Sequence, residues 1–193
     1  MRGSDVADAT LRDAIALHER VRAAGLEPAA AAAAAISASL RQEGKVLVFG
    51  NGGSAADAQH MVAELVGRFA RERRAYAAIA LTTDTSVVTS VSNDYGYERV
   101  FERQIEALGR PGDVAIGNTT SGSSANVVRA LEAARGSKLT TIALTGRDGG
   151  AAGRTADLHI NVPSDSTPRV QEVHMTLLHI ICDLVERELS AGD

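Results

Sequence analysis

One stretch of the chain decides the fold: the apolar run Lys45-Val46-Leu47-Val48-Phe49-Gly50, followed by Asn51-Gly52-Gly53-Ser54. A short apolar run that ends at glycine is typical of a strand buried on both faces of a parallel sheet. The residues after it indicate a tight loop, and the sequence from Ser54 to Arg71 has helical character. Ser54 and Asp57 stand three residues apart, which predicts a capping box at the start of that helix. The stretch therefore predicts a strand, a loop and a helix, the unit of an α/β sheet.

The same alternation of apolar strand and helix continues on both sides of this stretch. Residues 6–42 predict helix, interrupted near Gly25 to Pro28, and Pro168 is well placed in the first turn of a long final helix. The pattern predicts an α/β fold, a three-layer sandwich in which helices cover both faces of a five-stranded parallel sheet, with extra N-terminal helices. The other strands are predicted at 76–81, 113–117, 140–145 and 158–162, and the other helices at 84–92, 97–108, 124–135 and 168–189.

Composition excludes several classes of protein. The 193 residues, 45% apolar and 23% charged, suit one globular domain and not a disordered chain. The net charge of −4, with three Phe, three Tyr and no Trp, argues against nucleic-acid binding. The one cysteine, Cys182, fits a reducing compartment. No apolar run approaches the roughly 20 residues of a membrane span and no signal peptide is evident, so we expect a soluble, cytoplasmic protein without a membrane partner.

A second strand–loop–helix junction is rich in hydroxyl groups. It is Gly117-Asn118-Thr119-Thr120-Ser121-Gly122-Ser123-Ser124, with five hydroxyl side chains in its last six residues. Ligands of open α/β sheets bind beyond the carboxyl ends of the strands, and a helix N-terminus attracts anions. A polar turn with a helix cap explains one such loop equally well. Two such loops after parallel strands favour a phosphorylated ligand.

Polar side chains on two predicted helices are candidates for chemistry. His60 and Glu64 stand four residues apart on one helix face, where such a pair can bind a metal or share a proton. A solvated ion pair is the commoner role for an isolated pair of this kind. On the last helix, spacing alone favours Glu172 as the partner of His179 and places Gln171 about 80° away. Periodicity therefore leaves the functional pair open.

Strings spread along the chain carry a resemblance to a known family. They are Gly50-Asn51-Gly52-Gly53-Ser54-Ala55-Ala56-Asp57-Ala58-Gln59-His60, Ala63-Glu64, Leu81-Thr82-Thr83-Asp84-Thr85-Ser86, Asn93-Asp94-Tyr95-Gly96-Tyr97, Thr120-Ser121-Gly122, Leu144-Thr145-Gly146, and Gln171-Glu172-Val173-His174 with His179. Together they resemble the phosphoheptose isomerases, the sedoheptulose 7-phosphate branch of the sugar isomerase (SIS) superfamily. The resemblance runs from about Gly44 to the C-terminus, while the N-terminal helices match in layout and not in motif.

The resemblance implies an architecture and an assembly. It implies a single SIS phosphosugar isomerase domain over residues 44–193, preceded by an N-terminal helical segment, residues 1–43, that makes an oligomer contact. It also implies a homotetramer in which active sites are shared between subunits.

The resemblance further implies an activity and a set of site residues. The reaction would be aldose-ketose isomerisation of sedoheptulose 7-phosphate to D-glycero-D-manno-heptose 7-phosphate, feeding ADP- or GDP-heptose into lipopolysaccharide or other surface glycans. One zinc ion per subunit would bind His60, Glu64, Gln171 and His179. The expected phosphate and sugar contacts are Asn51, Gly52, Gly53, Glu64, Asn93, Asp94, Thr119, Thr120, Ser121, Ser124 and Gln171.

Those residue types suit isomerisation through an enediol. We expect Glu64 to be the base and His179 the acid, each contributing roughly 10²–10⁴-fold. Zinc could polarise the carbonyl, and His, Glu and a Gln oxygen are acceptable ligands, although Gln is uncommon. The metal and the base role would compete for the Glu64 carboxylate, and the sequence does not choose between them.

One string departs from the family pattern. The family usually has Ile-Ser-Thr-Ser-Gly in the phosphate loop, where this chain has Asn118-Thr119-Thr120-Ser121-Gly122. Asn118 puts an amide at a strand end, where a buried amide needs partners. We expect phosphate binding to survive with a shifted loop and an altered affinity or sugar choice. Unchanged kinetics in an Asn118→Ile, Thr119→Ser double variant would contradict this expectation.

Other functions compete with the isomerase. A non-catalytic SIS module that binds a phosphosugar or a protein is one, and His179 with the intact His60/Glu64 pair argues against it. An isomerase of another phosphosugar, or a regulator that senses one, is a second, and no DNA-binding segment supports the regulator.

Overall fold

Five apolar runs form one parallel sheet in the computed structural model, which describes residues 2–190. The strands are β1 (Val46–Gly50), β2 (Ala78–Ala80), β3 (Val114–Thr119), β4 (Thr140–Gly146) and β5 (Leu158–Val162). Their order in the sheet is β2-β1-β3-β4-β5, and every neighbouring pair is parallel. Since β1 and β3 are neighbours, with Gly50 paired to Asn118, the loops that follow them lie side by side at one edge.

Helices cover both faces of the sheet and confirm the predicted three-layer sandwich. The helices are α1 (Gly3–Ala24), α2 (Glu27–Arg41), α3 (Gly53–Val66), α4 (Thr85–Tyr95), α5 (Val100–Leu108), α6 (Ala125–Gly136), α7 (Gly150–Thr155) and α8 (Thr167–Ser190), with a 3₁₀ turn at Tyr97–Arg99. Along β1, Val46 and Val48 belong to a core shared with α2, α3 and α8, while Leu47 and Phe49 belong to a second core shared with α5 and α6.

The start and end of α3 differ from the prediction. The helix begins at Gly53 with Gly52 as its N-cap and has no side-chain cap, so the capping box expected from Ser54 and Asp57 is wrong. Both side chains are buried instead. The helix ends at Val66 rather than Arg71, because Gly67 closes it through a bond from its N–H to the Ala63 carbonyl.

Two smaller differences concern short elements. Strand β2 has three residues, fewer than the six expected. Helix α7 was not predicted, since Gly150-Ala151-Ala152-Gly153-Arg154-Thr155 has no apolar periodicity.

The N-terminal helices have different surroundings. Helix α2 packs against α8 and buries Ile36 and Leu40, whereas α1 buries only Leu17 and Val21 and exposes Val6, Leu11 and Ile15.

The division into a helical segment 1–43 and a domain 44–193 stays a prediction, and its ends at Met1 and residues 191–193 lie outside the described residues. Among the described helices, none alone is long and apolar enough to cross a membrane, although α1 and α2, bent by 74°, meet that test of length and composition as a pair.

Candidate active site

Helices α3 and α8 bring together two histidines and a glutamate. His60 Nε2 lies 2.8 Å from His179 Nε2 and 3.3 Å from Glu64 Oε1. The candidate ligand atoms of the three residues all lie within 4.8 Å of one another, in half-buried positions. Two imidazole nitrogens and a carboxylate oxygen are a donor set that zinc accepts. The tertiary fold therefore pairs His179 with His60 and Glu64, a choice that helix periodicity left open.

A loop anchored on α8 packs against this cluster. The Phe69 ring lies 5.5 Å from the His179 ring, centroid to centroid. The Glu186 carboxylate, 1% exposed, accepts backbone N–H bonds from Phe69, Ala70 and Arg71 at 2.7 to 3.0 Å. Burial alone would raise the pKa of Glu186, but these N–H groups and Arg73 hold that pKa below its ordinary value.

Arg73 joins the same loop to the end of α3. Its guanidinium is 3% exposed and lies 3.2 Å from Glu186 Oε1. It also donates to the carbonyl oxygens of Glu64 at 2.7 Å and Leu65 at 2.9 Å, in the last turn of α3. Those carbonyls have no partner within the helix, so the Arg73 side chain caps the C-terminal end of α3 beside its C-cap residue, Gly67. The Arg73–Glu186 pair thus links the two helices that carry the histidine cluster.

A cavity of about 330 Å³ lies at the carboxyl ends of β1 and β3. Seven residues expected to bind substrate line it: Asn51, Gly52, Gly53, Thr119, Thr120, Ser124 and Gln171. Three further lining residues were not predicted, namely Ser54, Asn118 and Thr167. Thr167 is the first residue of α8. Because Pro168 marks the first turn of that helix in the sequence, it also indicates that Thr167 lies at the helix start.

The remaining expected contacts lie away from the cavity wall. Ser121 is half-buried beside it, and its Oγ accepts from the Ser123 N–H at 3.2 Å. Glu64 belongs to the histidine cluster. Asn93 and Asp94 are exposed near the end of α4, where the Asn93 amide donates to the Asp94 carboxylate.

Glycines bring the first loop close to α8. Gly52 has a φ of +56°, a conformation that L side chains rarely adopt. A Cβ at Gly53 would collide with the Gln171 amide. Gln171 stands eight residues before His179 on α8, so roughly 12 Å of that helix separates this contact from the histidine cluster.

Asp57 is a buried carboxyl that the sequence assigned to capping. It is 7% exposed, and its Oδ2 has no hydrogen-bond partner within residues 2–190. Burial raises its pKa to about 6, and the nearby His60 lowers it in part. Its position one turn before His60 makes it part of the electrostatic environment of the cluster.

Asn118 is fully buried, and neither its Oδ1 nor its Nδ2 has a partner within residues 2–190. A buried amide without partners costs free energy, because it has given up its bonds to water. An Asn118→Val variant is therefore expected to raise the free energy of unfolding by about 1–3 kcal/mol, measured by urea denaturation.

Gln104 provides the matched control for this prediction. It is a buried amide too, but its Nε2 donates to the carbonyls of Leu81 and Val100 at 2.9 and 3.0 Å. Gln104→Met should lower stability because it strips both carbonyls of a partner. An Asn118→Val protein no more stable than the wild type would contradict the prediction.

Comparisons with known proteins agree with this fold. Residues 11–146 match the model of the SIS domain family, which defines the chain as an SIS-domain protein. It is 54% identical over 185 residues to the phosphoheptose isomerase of Bordetella avium, covering 94% of this chain and 93% of that protein. A phosphoheptose isomerase structure from Neisseria gonorrhoeae is 43% identical with a TM-score of 0.91, and the match covers 95% of this chain and 98% of that one. A structure of a phosphoheptose isomerase from Francisella tularensis is 37% identical with a TM-score of 0.93, and the match covers 97% of this chain and 100% of that one.

The chain belongs to the phosphoheptose isomerase family. The resemblance read from the sequence strings is thereby confirmed, as is the assignment to the isomerase enzymes. The non-catalytic module is set aside by this assignment.

Proposed function

We propose that the chain interconverts sedoheptulose 7-phosphate and D-glycero-D-manno-heptose 7-phosphate. The observation that carries the proposal is that α3 and α8, which carry the His60/Glu64/His179 cluster, also provide Gly53 and Gln171 to the wall of a cavity lined by hydroxyls and glycines. The cavity suits the phosphate, because neutral hydroxyls and the N–H groups at the start of α3 attract anions. The cluster supplies acid and base groups for the carbonyl end of the sugar.

The proposed chemistry moves protons between two carbons and two oxygens. Glu64 removes a proton from C1 of the ketose, and the electrons of that C–H bond form the C1–C2 double bond of an enediol. His179 donates a proton to O2 and takes one from O1, after which Glu64 returns its proton to C2. No atom is gained or lost overall.

We assign the metal-binding role to His60, Glu64, His179 and Gln171, with zinc as the metal. The donor set fits, since two imidazoles and a carboxylate converge and Gln171 lies on the same helix as His179. Zinc bound there would polarise the sugar carbonyl and stabilise negative charge on its oxygen.

We also propose an assembly and a cellular role for the protein. The exposed apolar residues of α1 suit a contact between subunits of the homotetramer that we propose, in which Asn93 and Asp94, exposed near the end of α4, would reach a neighbouring subunit's site. We assign the protein to the cytoplasm and to heptose supply for surface glycans. Light scattering would test the assembly, and a monomer with full activity would contradict it.

The deciding experiment follows sedoheptulose 7-phosphate by NMR with the purified protein. Formation of the aldose heptose 7-phosphate is expected, with little turnover of a six-carbon ketose phosphate as comparison. Treatment with EDTA should abolish turnover, and added zinc should restore it. A folded protein that turns over no heptose phosphate with or without zinc would overturn the proposal.

A further inference from the structure

Asn51 is tied to two residues that do not line the cavity. Its Oδ1 accepts from Asn126 Nδ2 at 2.8 Å and from the Tyr97 hydroxyl at 2.9 Å. Its Nδ2 donates to Asn126 Oδ1 at 2.9 Å, so the two amides form a reciprocal pair. Three of the four hydrogen-bonding positions of the Asn51 amide are therefore engaged within the chain. Only one N–H of this side chain is left for a ligand.

The amide pair joins the two loops that form the cavity. Asn51 follows β1 in the glycine loop, residues 51–53, and Asn126 stands in the first turn of α6, directly after the hydroxyl loop, residues 119–124. Asn126 is 4% exposed, whereas Tyr97 is 53% exposed and lies in the 3₁₀ turn between α4 and α5. Hydrogen bonds in both directions between planar amides fix the separation and the orientation of the two loops.

We infer that Asn126 and Tyr97 are positioning residues for the phosphate, acting through Asn51. They hold Asn51 in a loop that lines the same cavity as Thr120 and Ser124. The inference rests on the proposed function, because it takes the ligand to be a sugar phosphate. It also changes the expected role of Asn51, whose side chain serves mainly to orient its own loop.

Two substitutions test this inference, with a matched control for one of them. Tyr97→Phe removes one hydroxyl, and Tyr95→Phe removes the hydroxyl of a tyrosine on the same segment that is 47% exposed. Asn126→Asp keeps the size of the side chain but places a carboxylate against the Asn51 oxygen. Calorimetry with inorganic phosphate and with sedoheptulose 7-phosphate reports affinity without requiring turnover.

We expect Tyr97→Phe to weaken phosphate affinity about threefold to tenfold, the effect of one hydrogen bond, and Asn126→Asp to weaken it more. KM should rise while kcat stays within about twofold, because the phosphate is held equally in the ground state and the transition state. Since both residues act on one oxygen of Asn51, the double variant should lose less than the product of the single losses.

The outcomes separate this inference from the proposed function. A wild type that binds phosphate but does not isomerise the sugar would overturn the function and leave the positioning role supported if the affinities still change. Affinities of Tyr97→Phe and Asn126→Asp equal to that of Tyr95→Phe, with only a lower melting temperature, would overturn the positioning role. A wild type that binds neither phosphate nor the sugar phosphate would overturn both.

Discussion

Replacing Glu64 with glutamine is expected to lower kcat for heptose phosphate isomerisation by about 10²–10⁴-fold. Glutamine keeps the size of the side chain but cannot accept a proton from carbon. His179→Gln should cause a loss of similar size, because it removes the group that we propose moves protons between the two sugar oxygens. Both residues lie in the half-buried cluster, so the variants should stay folded.

Glu172→Gln is the control for this prediction. Glu172 is the residue that helical spacing alone favoured as the partner of His179, but it is exposed and pairs with Arg169 at 2.6 Å. Its loss should leave kcat within about twofold, because Glu172 stands outside the His60/Glu64/His179 cluster. A Glu64→Gln enzyme with wild-type kcat would contradict the assignment of the base.

Metal content measured on the same proteins separates the two roles of Glu64. A Glu64→Gln protein that keeps its metal and loses turnover supports the role of base. A protein that loses both assigns the carboxylate chiefly to the metal. The experiment thus answers the competition for this carboxylate that the sequence left open.

The sequence predicted the layers of the fold because burial leaves a direct signature in it. Strand β1 is apolar at every position from Val46 to Phe49, since helices cover both of its faces. The end of α3 could not be predicted in the same way. Helical periodicity continues past Val66. The helix stops there because Gly67 closes its last turn and because Arg73, seven residues after Val66, donates to the Leu65 carbonyl.

The site was predictable in its loops and not in its pairings. Glycines and hydroxyls after two strands indicated an anion site from local chemistry alone. The pairing of His179 with His60 depends on how α3 packs against α8, which no spacing within α8 encodes. The Asn51–Asn126 pair likewise depends on β1 and β3 being neighbours, although the chain separates them by β2.

Replacing Glu186 with glutamine is expected to lower the free energy of unfolding by about 3–5 kcal/mol, measured by urea denaturation. The reason is that Arg73, 3% exposed, would keep its charge in a buried site without its carboxylate partner. The backbone N–H groups of Phe69 and Ala70 would also face a weaker acceptor. Arg73→Met should cost a similar amount, since it leaves the Glu186 carboxylate buried and removes the hydrogen bonds to the last carbonyls of α3.

Asp183→Asn is the matched control, because Asp183 stands one turn earlier on α8 and pairs with Arg71 and Arg187 at a side-chain exposure of 28%. Its substitution should cost less than about 1 kcal/mol, because this pair keeps contact with solvent. If Glu186→Gln costs no more than Asp183→Asn, then the buried pair does not hold α3 against α8.

Since Phe69 packs on His179, a real loosening of this loop should also weaken metal binding, which a chelator titration of the folded Glu186→Gln protein would detect. A stability loss with unchanged metal affinity would place the effect in the fold alone.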